Sequence, residues 1–148
     1  MCKCNNKYRD DKLHHECGVL GIYGVDDAAG LAYYGLHALQ HRGQQGCGIV
    51  TVGPSGEFHR VKGDGLVSEV FNEQKMEKLP GRMAIGHVRY SNAGCKGTEN
   101  IQPFLFHHNS GDFAMANNGQ IVNYNQLRQE LEDKGSLFQS SSDAEVLA

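Results

Sequence analysis

The pattern of polar and apolar positions changes abruptly at Cys17. The sixteen residues before it are mostly polar, whereas the seven residues after it (GVLGIYG) are apolar or glycine. In an extended chain Val19 and Tyr23 would point to one side, and Leu20 and Ile22 to the other. This pattern predicts a strand that is buried on both faces.

A helix is predicted next, from a cap at Asp26 or Asp27 to about Gln40. Its small and apolar residues recur at the three- and four-residue spacing of one helical face. They are Ala28, Leu31, Ala32, Gly35, Leu36 and Leu39. Because glycine disfavours a helix interior, its presence at position 35 predicts close packing against another element.

The rest of the chain alternates short apolar segments with turns. Strands are predicted at 47–52, 57–61, 83–88, 104–106 and 113–116, and a helix at 67–79. A further helix is predicted from Asn123, which with Gln126 resembles a capping box, to Lys134, with Gly135 ending it.

The order of these elements predicts a layered α+β fold. Strands that are apolar on both faces need cover on both sides, which favours a central sandwich between helices. The last predicted helix opens with the capping box Ser142-Asp-Ala-Glu145 and stops at Ala148, one turn later. Because so short a helix does not form by itself, we expect the chain to be the front part of a longer protein.

Composition and charge exclude several classes of protein. With 148 residues, 39% of them hydrophobic and 21% charged, the chain can form one globular core. A formal charge of −3 without a basic cluster argues against nucleic-acid binding. No apolar run approaches the ~20 residues of a membrane span, and the polar first segment lacks the core of a secretory signal. We therefore expect a cytoplasmic, reducing location.

Cysteine use leaves two interpretations of Cys17. Five cysteines, an odd number, argue against a disulfide framework in a reducing compartment. Cys17 is then either a small hydrophobic residue in a strand or, after cleavage of the preceding segment, an N-terminal nucleophile. In the second case its α-amine serves as the base for its own thiol, because the two groups ionise over similar pH ranges.

A metal site is the competing hypothesis for the first segment. Cys2-x-Cys4 and His14-His15, together with Cys17, supply ligand types that zinc prefers. However, the cysteine spacing differs from the two-residue spacing of most structural zinc sites, and a second cysteine pair is missing. The pattern therefore favours zinc less than the other interpretations of these residues.

Other polar residues also allow a structural and a functional interpretation. Asn118-Gly119 is a strong hairpin signal, but its side-chain amide and backbone N–H could also stabilise an oxyanion. Arg89 follows a strand, where it forms either an exposed ion pair or a bidentate contact to a substrate carboxylate. Asp143 lies in the first turn of the last predicted helix, where an anion is stabilised in any case.

Five motifs in order resemble the glutaminase domain of the amidophosphoribosyltransferase family, a branch of the class II glutamine amidotransferases. They are Glu16-Cys-Gly-Val-Leu-Gly-Ile22, Tyr34-Gly-Leu-His-Ala-Leu-Gln-His-Arg-Gly-Gln44, Gly86-His-Val-Arg-Tyr90, Asn118-Gly119 and Ser141-Ser-Asp-Ala-Glu145. The resemblance extends over residues 17–148, and the Leu39-Gln-His-Arg-Gly43 string is its most specific part.

The resemblance implies a four-layer αββα N-terminal-nucleophile fold for residues 17–148, with residues 1–16 as a propeptide. It implies that Cys17 attacks the glutamine carboxamide and that Asn118 and Gly119 form the oxyanion hole. By the same resemblance Arg89 takes the substrate α-carboxylate, Asp143 takes the α-ammonium group, and Gly43 is the turn glycine near the nucleophile. The implied reaction releases ammonia and glutamate, for phosphoribosylamine formation in the first step of purine synthesis.

The family also implies features that lie beyond residue 148. These are the C-terminal end of the glutaminase domain and a phosphoribosyltransferase domain that binds phosphoribosyl pyrophosphate and Mg²⁺, together with an iron–sulfur cluster in some members and a homo-oligomer. No metal or cofactor is expected in this chain itself, and neither nucleic acid nor a membrane is an expected partner. Asn117, where the family usually has histidine, and Cys47, where it usually has a small non-thiol residue, depart from the pattern. The alternatives are a catalytically silent glutamine-binding or regulatory module, and another class II amidotransferase.

Overall fold

The computed structural model of the chain describes residues 17–90 and 97–148. The predicted propeptide and Cys95 lie outside these ranges, as do Cys2, Cys4 and the His14-His15 pair. The strands are β1 (Gly18–Tyr23), β2 (Gly46–Val52), β3 (Phe58–Asp64), β4 (Met83–Arg89), β5 (Phe104–Phe106) and β6 (Phe113–Met115). These bounds lie within a few residues of those predicted from the sequence.

Helices lie between the strands and after them, which confirms the α+β class. The α-helices are α1 (Ala28–Ala38), α2 (Val67–Val70), α3 (Glu73–Met76) and α4 (Tyr124–Asp133). Short 3-10 helices occupy Gln40–Arg42, Thr98–Asn100 and Asp143–Leu147. Among the described residues, no helix has the length and apolar character needed to cross a membrane.

Four strands form one antiparallel sheet in the order β1-β4-β2-β3, and β5 pairs with β6 in a separate hairpin. In the four-stranded sheet β1 is an edge strand, while β4 lies between β1 and β2. The register pairs Gly18 with Val88 and Gly46 with Arg89, so the start of β1, the end of β4 and the start of β2 lie side by side.

Helix α1 covers one face of this sheet and forms the main core. Ala28, Ala32 and Leu36 are fully buried in a cluster with residues of β2 and β4. The predicted cap is Asp27, whose Oδ1 accepts a hydrogen bond from the Gly30 amide at 3.0 Å. The prediction that Leu31 belongs to the buried face of this helix is wrong, since Leu31 is 47% exposed.

The close packing predicted at Gly35 is confirmed. A Cβ built on Gly35 would lie 2.6 Å from Leu20 Cδ2, closer than real carbon contacts. A glycine therefore allows α1 to approach β1 at this point, which accounts for a residue that otherwise weakens the helix.

The second face of the sheet is covered only in part. Gly46 and Gly48 of β2 lie against the segment 101–103, where built Cβ atoms would be 2.6 Å from Ile101 Cδ1 and 2.4 Å from Gln102 O. On the edge strand β1, by contrast, Val19 is 42% and Tyr23 is 83% exposed. Two-sided burial of β1 was therefore a wrong prediction, because the segment that covers β2 does not extend over this edge.

The single helix predicted at 67–79 is wrong and is replaced by α2 and α3. Phe71 between them has extended backbone and is buried against Tyr33, at a ring separation of 6.4 Å. Asn72 then starts a new helix, because its Oδ1 accepts a hydrogen bond from the Lys75 amide at 3.0 Å. Burial of the aromatic ring and a local cap thus outweigh the continuous helical periodicity.

The predicted capping boxes form only in part. Asn123 precedes α4 without a side-chain cap, although Gly135, at φ 95°, follows its end as expected. Ser142 accepts a hydrogen bond from the Ala144 amide at 3.3 Å and opens a 3-10 helix. The Glu145 carboxylate, which a capping box would direct back to Ser142, instead binds the backbone at 139 and 140.

Candidate functional site

The Cys17 side chain is held by the backbone at the end of β4. The Tyr90 amide donates to Cys17 Sγ at 3.2 Å, and the thiol donates to the Tyr90 carbonyl at 3.4 Å. Arg42 Nε donates to the Cys17 carbonyl at 3.3 Å. Cys17 is a free, half-buried thiol. Its sulfur is therefore fixed in direction while part of its surface stays accessible.

Strand pairing brings Cys17 next to Arg89. Since Gly18 pairs with Val88, continuing the antiparallel register by one residue sets Cys17 opposite Arg89. Opposite residues of an antiparallel pair share a face of the sheet. Gly18 and Val88 face α1, so Cys17 and Arg89 belong to the second face, as does His87.

Gly43 lies against the same end of β4. A Cβ built there would be 2.6 Å from the Arg89 carbonyl carbon and 2.7 Å from its oxygen. The φ of Gly43 is −159°, an extended value open to any residue, so the lack of space is what requires glycine. Gln40 fixes this turn, because its Nε2 donates to the Gly43 carbonyl while its Oε1 accepts the Val67 amide at 2.7 Å.

The Arg89 guanidinium lies half-buried at the end of β4. Its Nη1 donates to the Gly97 carbonyl at 3.4 Å, and its own carbonyl accepts the Gln45 amide at 3.1 Å. Backbone contacts from both sides thus fix the residue on which the side chain is mounted. A guanidinium held at a sheet end has the fork geometry that matches a carboxylate.

His87, two residues before Arg89, is buried on the second face of the sheet. The ring is 1% exposed, and neither of its nitrogens makes a hydrogen bond of normal geometry within the described residues. Burial lowers the pKa of His87 to about 4, although the neighbouring Asn117 backbone partly offsets this effect. His87 is therefore a neutral imidazole beside the segment that carries Asn118.

The Asn118-Gly119 turn is exposed and held by side-chain oxygens at each end. On one side Gln102 Oε1 accepts the Asn117 amide at 2.6 Å. On the other side Asp143 Oδ2 accepts the Ile121 amide at 2.7 Å. The turn is thus exposed while its flanks are tied to other elements.

Asp143 is positioned by a buried polar network around Glu145. The Glu145 carboxylate is 5% exposed and accepts hydrogen bonds from the Gln139 amide at 2.7 Å and the Ser140 amide at 2.8 Å. Asn100 Oδ1 accepts the Ser141 amide at 3.1 Å. Because these contacts satisfy the backbone on the N-terminal side of Asp143, the residue is held at a defined place.

Cys47 is excluded as the reactive thiol. It is fully buried on the α1 face of the sheet, opposite in direction to Cys17, and burial raises the pKa of its thiol to about 12. A protonated, inaccessible sulfur is neither a nucleophile nor a metal ligand. Within residues 17–90 and 97–148, no three His, Cys, Asp or Glu side chains are grouped closely enough to hold a metal ion.

The predicted site residues therefore form two groups. Cys17 binds Tyr90 and Gly43 lies against the Arg89 backbone at the end of β4, whereas Asp143 contacts the loop that follows Asn118 and Gly119. Sequence reasoning gave no role to Gln102 or Tyr90, and it gave Glu145 only a capping role. Gln102 and Tyr90 contact atoms 15 and 73 residues away in the chain, so no local spacing indicates them.

Sequence comparison identifies relatives along nearly the whole chain. The profile of a family described as glutamine amidotransferase domain matches residues 73–148. Amidophosphoribosyltransferase 1 of Arabidopsis thaliana is 54% identical over 97% of this chain and 25% of its own length. The amidophosphoribosyltransferase of Bacillus subtilis is 55% identical over 92% of this chain and 29% of its own length.

Solved structures give the same result. A structure described as the allosteric regulatory enzyme of purine biosynthesis matches with a TM-score of 0.82 and 52% identity, over 87% of this chain and 28% of that chain. The Bacillus subtilis glutamine phosphoribosylpyrophosphate amidotransferase, complexed with ADP and GMP, matches with a TM-score of 0.80 and 51% identity. The chain thus spans about a quarter of the length of these relatives.

Proposed function

We propose that this chain, which belongs to the glutamine amidotransferase domain family, is the glutaminase part of an amidophosphoribosyltransferase. One observation carries the proposal: Cys17 is a free thiol whose sulfur is held by Tyr90, next to Arg89 and on the same face of the sheet. The substrate is glutamine. The ammonia it releases serves to form phosphoribosylamine from phosphoribosyl pyrophosphate, at the first step of purine synthesis.

Glutamine recognition rests on two opposite charges. The Arg89 guanidinium binds the substrate α-carboxylate, and the Asp143 carboxylate binds the α-ammonium group. Asp143 Oδ2 accepts the Ile121 amide at 2.7 Å, and we assign the second oxygen, Oδ1, to the ammonium group. One cation and one anion select a zwitterion, because a ligand that lacks either charge leaves a protein group unpaired.

Cys17 supplies both the nucleophile and the base. Its sulfur forms a bond to the carboxamide carbon, and the thiol proton passes to the Cys17 α-amine. Collapse of the tetrahedral intermediate breaks the carbon–nitrogen bond, and the amine returns its proton to the leaving ammonia. Water then attacks the thioester and releases glutamate and the free thiol.

Attack by the thiol and attack by water each form a tetrahedral intermediate with a negatively charged oxygen. The Asn118 side-chain amide and the Gly119 N–H stabilise this oxyanion in both. Gly43 has a spatial role, since any side chain there would displace the Arg89 backbone. Neutral donors fixed before the reaction stabilise developing negative charge without reorganisation. The hydrogen bonds that hold the turn through the Asn117 and Ile121 amides fit this role.

Processing and architecture complete the proposal. Residues 1–16 act as a propeptide whose removal exposes the Cys17 amine. Residues 17–148 belong to a four-layer αββα N-terminal-nucleophile domain. As the family resemblance implies, the phosphoribosyltransferase domain, its Mg²⁺ and any iron–sulfur cluster are assigned to the part of the full-length protein that follows residue 148. We place the full-length protein in the cytoplasm as a homo-oligomer, with neither nucleic acid nor membrane as partner. Free thiols at Cys17 and Cys47 suit a reducing compartment.

The decisive experiment compares processed and unprocessed protein. Full-length protein is prepared with and without residues 1–16, both masses are confirmed, and glutamate release is measured. We expect activity only after processing, since an amide nitrogen at Cys17 has no basic lone pair. Equal rates from both forms would refute the N-terminal-nucleophile mechanism. Glutamine binding without turnover by the processed form would instead indicate a silent glutamine-binding module.

A further inference from the structure

Gln102 contacts the candidate oxyanion turn from a different part of the chain. Its Oε1 accepts a hydrogen bond from the Asn117 amide at 2.6 Å, directly before Asn118. Gln102 itself is 7% exposed and Asn117 is half-buried, so this bond is partly shielded from water. An amide that is partly withdrawn from water and loses its acceptor is destabilising, which makes the contact a constraint on the backbone at Asn117.

Gln102 is in turn fixed on the sheet that carries Cys17 and Arg89. A Cβ built on Gly48 of β2 would lie only 2.4 Å from the Gln102 carbonyl oxygen. Next to it, Lys62 of β3 donates from Nζ to the Ile101 carbonyl at 2.9 Å, and Ile101 is fully buried. The backbone at Gln102 therefore cannot shift without moving the sheet.

These two sets of contacts connect the nucleophile to the turn. Cys17 and Arg89 belong to the four-stranded sheet, and Gln102 is seated on the same sheet. The hydrogen bond from the Asn117 amide to Gln102 Oε1 ties one end of the turn to that sheet, whereas Asp143 holds the far end at Ile121. Loss of the Gln102 contact would leave the turn attached at only one of these two ends.

We propose that Gln102 is a positioning residue that holds the Asn117 amide and thereby directs the Asn118 and Gly119 donors toward the nucleophile. This inference rests on the proposed function, because it presumes that Asn118 and Gly119 stabilise the oxyanion. Gln102 does not contact the substrate in this scheme. Its effect is therefore on the transition state and passes through Asn118.

Gln102→Met tests the proposal in the full-length, processed protein. Methionine keeps the length and burial of the side chain but lacks the oxygen acceptor. We expect kcat for glutamate release to fall about 10- to 100-fold, as for a small misplacement of catalytic groups. The KM for glutamine should stay within about twofold, because the head-group contacts at Arg89 and Asp143 are unaffected.

Two matched variants separate positioning from folding. Gln102→Glu retains an acceptor at the same distance and should recover kcat to within about threefold of the unmodified protein. Gln74→Met makes the same chemical change at an exposed site in α3, away from the candidate site, and should leave kcat unchanged. If Gln102→Met does not fold, Gln102→Asn, which withdraws the oxygen by one methylene, replaces it with the same expected kcat loss.

A double-mutant cycle with Asn118→Ala distinguishes the positioning role of Gln102 from the oxyanion role of Asn118. We expect the Gln102→Met loss to be largely absent in the Asn118→Ala background, since both act on one donor set. Full multiplication of the two losses, or an unchanged kcat for Gln102→Met, would overturn the role of Gln102. An unchanged kcat for Asn118→Ala would instead overturn the oxyanion assignment in the proposed function.

Discussion

Asp143 Oδ2 accepts the backbone amide of Ile121 at 2.7 Å, which joins two parts of the candidate site. Ile121 follows the Asn118-Gly119 turn by two residues, and Asp143 is the proposed contact of the substrate ammonium group. In the proposed function, this carboxylate holds the Asn118-Gly119 turn with one oxygen and binds the glutamine ammonium group with the other. Substrate recognition and transition-state stabilisation would then be coupled through this residue.

Selective labelling tests the choice of nucleophile. The glutamine analogue 6-diazo-5-oxo-norleucine should modify Cys17 once in the processed protein and leave Cys47 unmodified, because Cys47 is fully buried and its thiol pKa is raised to about 12. Peptide mapping by mass spectrometry identifies the adduct. Cys17→Ser should abolish labelling and Cys47→Ala should not. An adduct on any other cysteine would contradict the assignment of Cys17.

Arg89→Lys tests the carboxylate contact. A lysine keeps the positive charge but cannot reproduce the two-pronged contact, so the KM for glutamine should rise by about 10- to 100-fold. Glutamate release by the processed protein, measured over a range of glutamine concentrations, gives the value. Arg82→Lys is the control, since Arg82 lies at the other end of β4 in an exposed ion pair with Asp26. If the two substitutions changed the KM for glutamine equally, Arg89 would have a structural role and would not bind the substrate carboxylate.

Gly43→Ala tests the space between the turn and β4. The added methyl would meet the Arg89 backbone at 2.6 Å, so we expect a loss of about 1–3 kcal/mol in unfolding free energy and a raised KM for glutamine. Gly21→Ala in β1 is the matched control, because a Cβ there meets nothing within 4 Å. Chemical denaturation and glutamate release measure the two effects. A Gly43→Ala protein as stable as the control would show that β4 adjusts freely.

Burial of His87 should make the stability of the protein sensitive to acid. Its native pKa of about 4 lies below the usual 6.5, so the unfolded state binds more protons between these values. Stability should therefore fall as the pH is lowered from 6.5 towards 4, by roughly 3 kcal/mol in total at ~1.36 kcal/mol per pKa unit. Urea denaturation across this range should give a smaller pH dependence for His87→Gln. Parallel pH profiles for the two proteins would contradict a buried neutral imidazole.

Much of the site could be predicted from the sequence, because motif residues keep their spacing along the chain. Three features could be identified from the sequence: the thiol at the boundary between the polar segment and β1, the arginine at the end of β4, and the Asn118-Gly119 turn. The ends of the helices were also predictable where local caps determine them, as at Asp27 before α1 and Gly135 after α4. Local patterns determine these features since the interactions involved span only a few residues.

Tertiary structure decided everything that depends on residues distant in sequence. The break between α2 and α3 arises because Phe71 is buried against Tyr33, which periodicity does not show. Exposure of Val19 follows from the edge position of β1, and only the sheet order reveals it. Gln102 holds the site through a backbone amide 15 residues further along the chain, and a backbone amide has no sequence signature. Glu145 binds the amides of Gln139 and Ser140 instead of the cap that the local pattern predicts. The sequence determined which chemical groups are present, whereas folding determined which of them are held together.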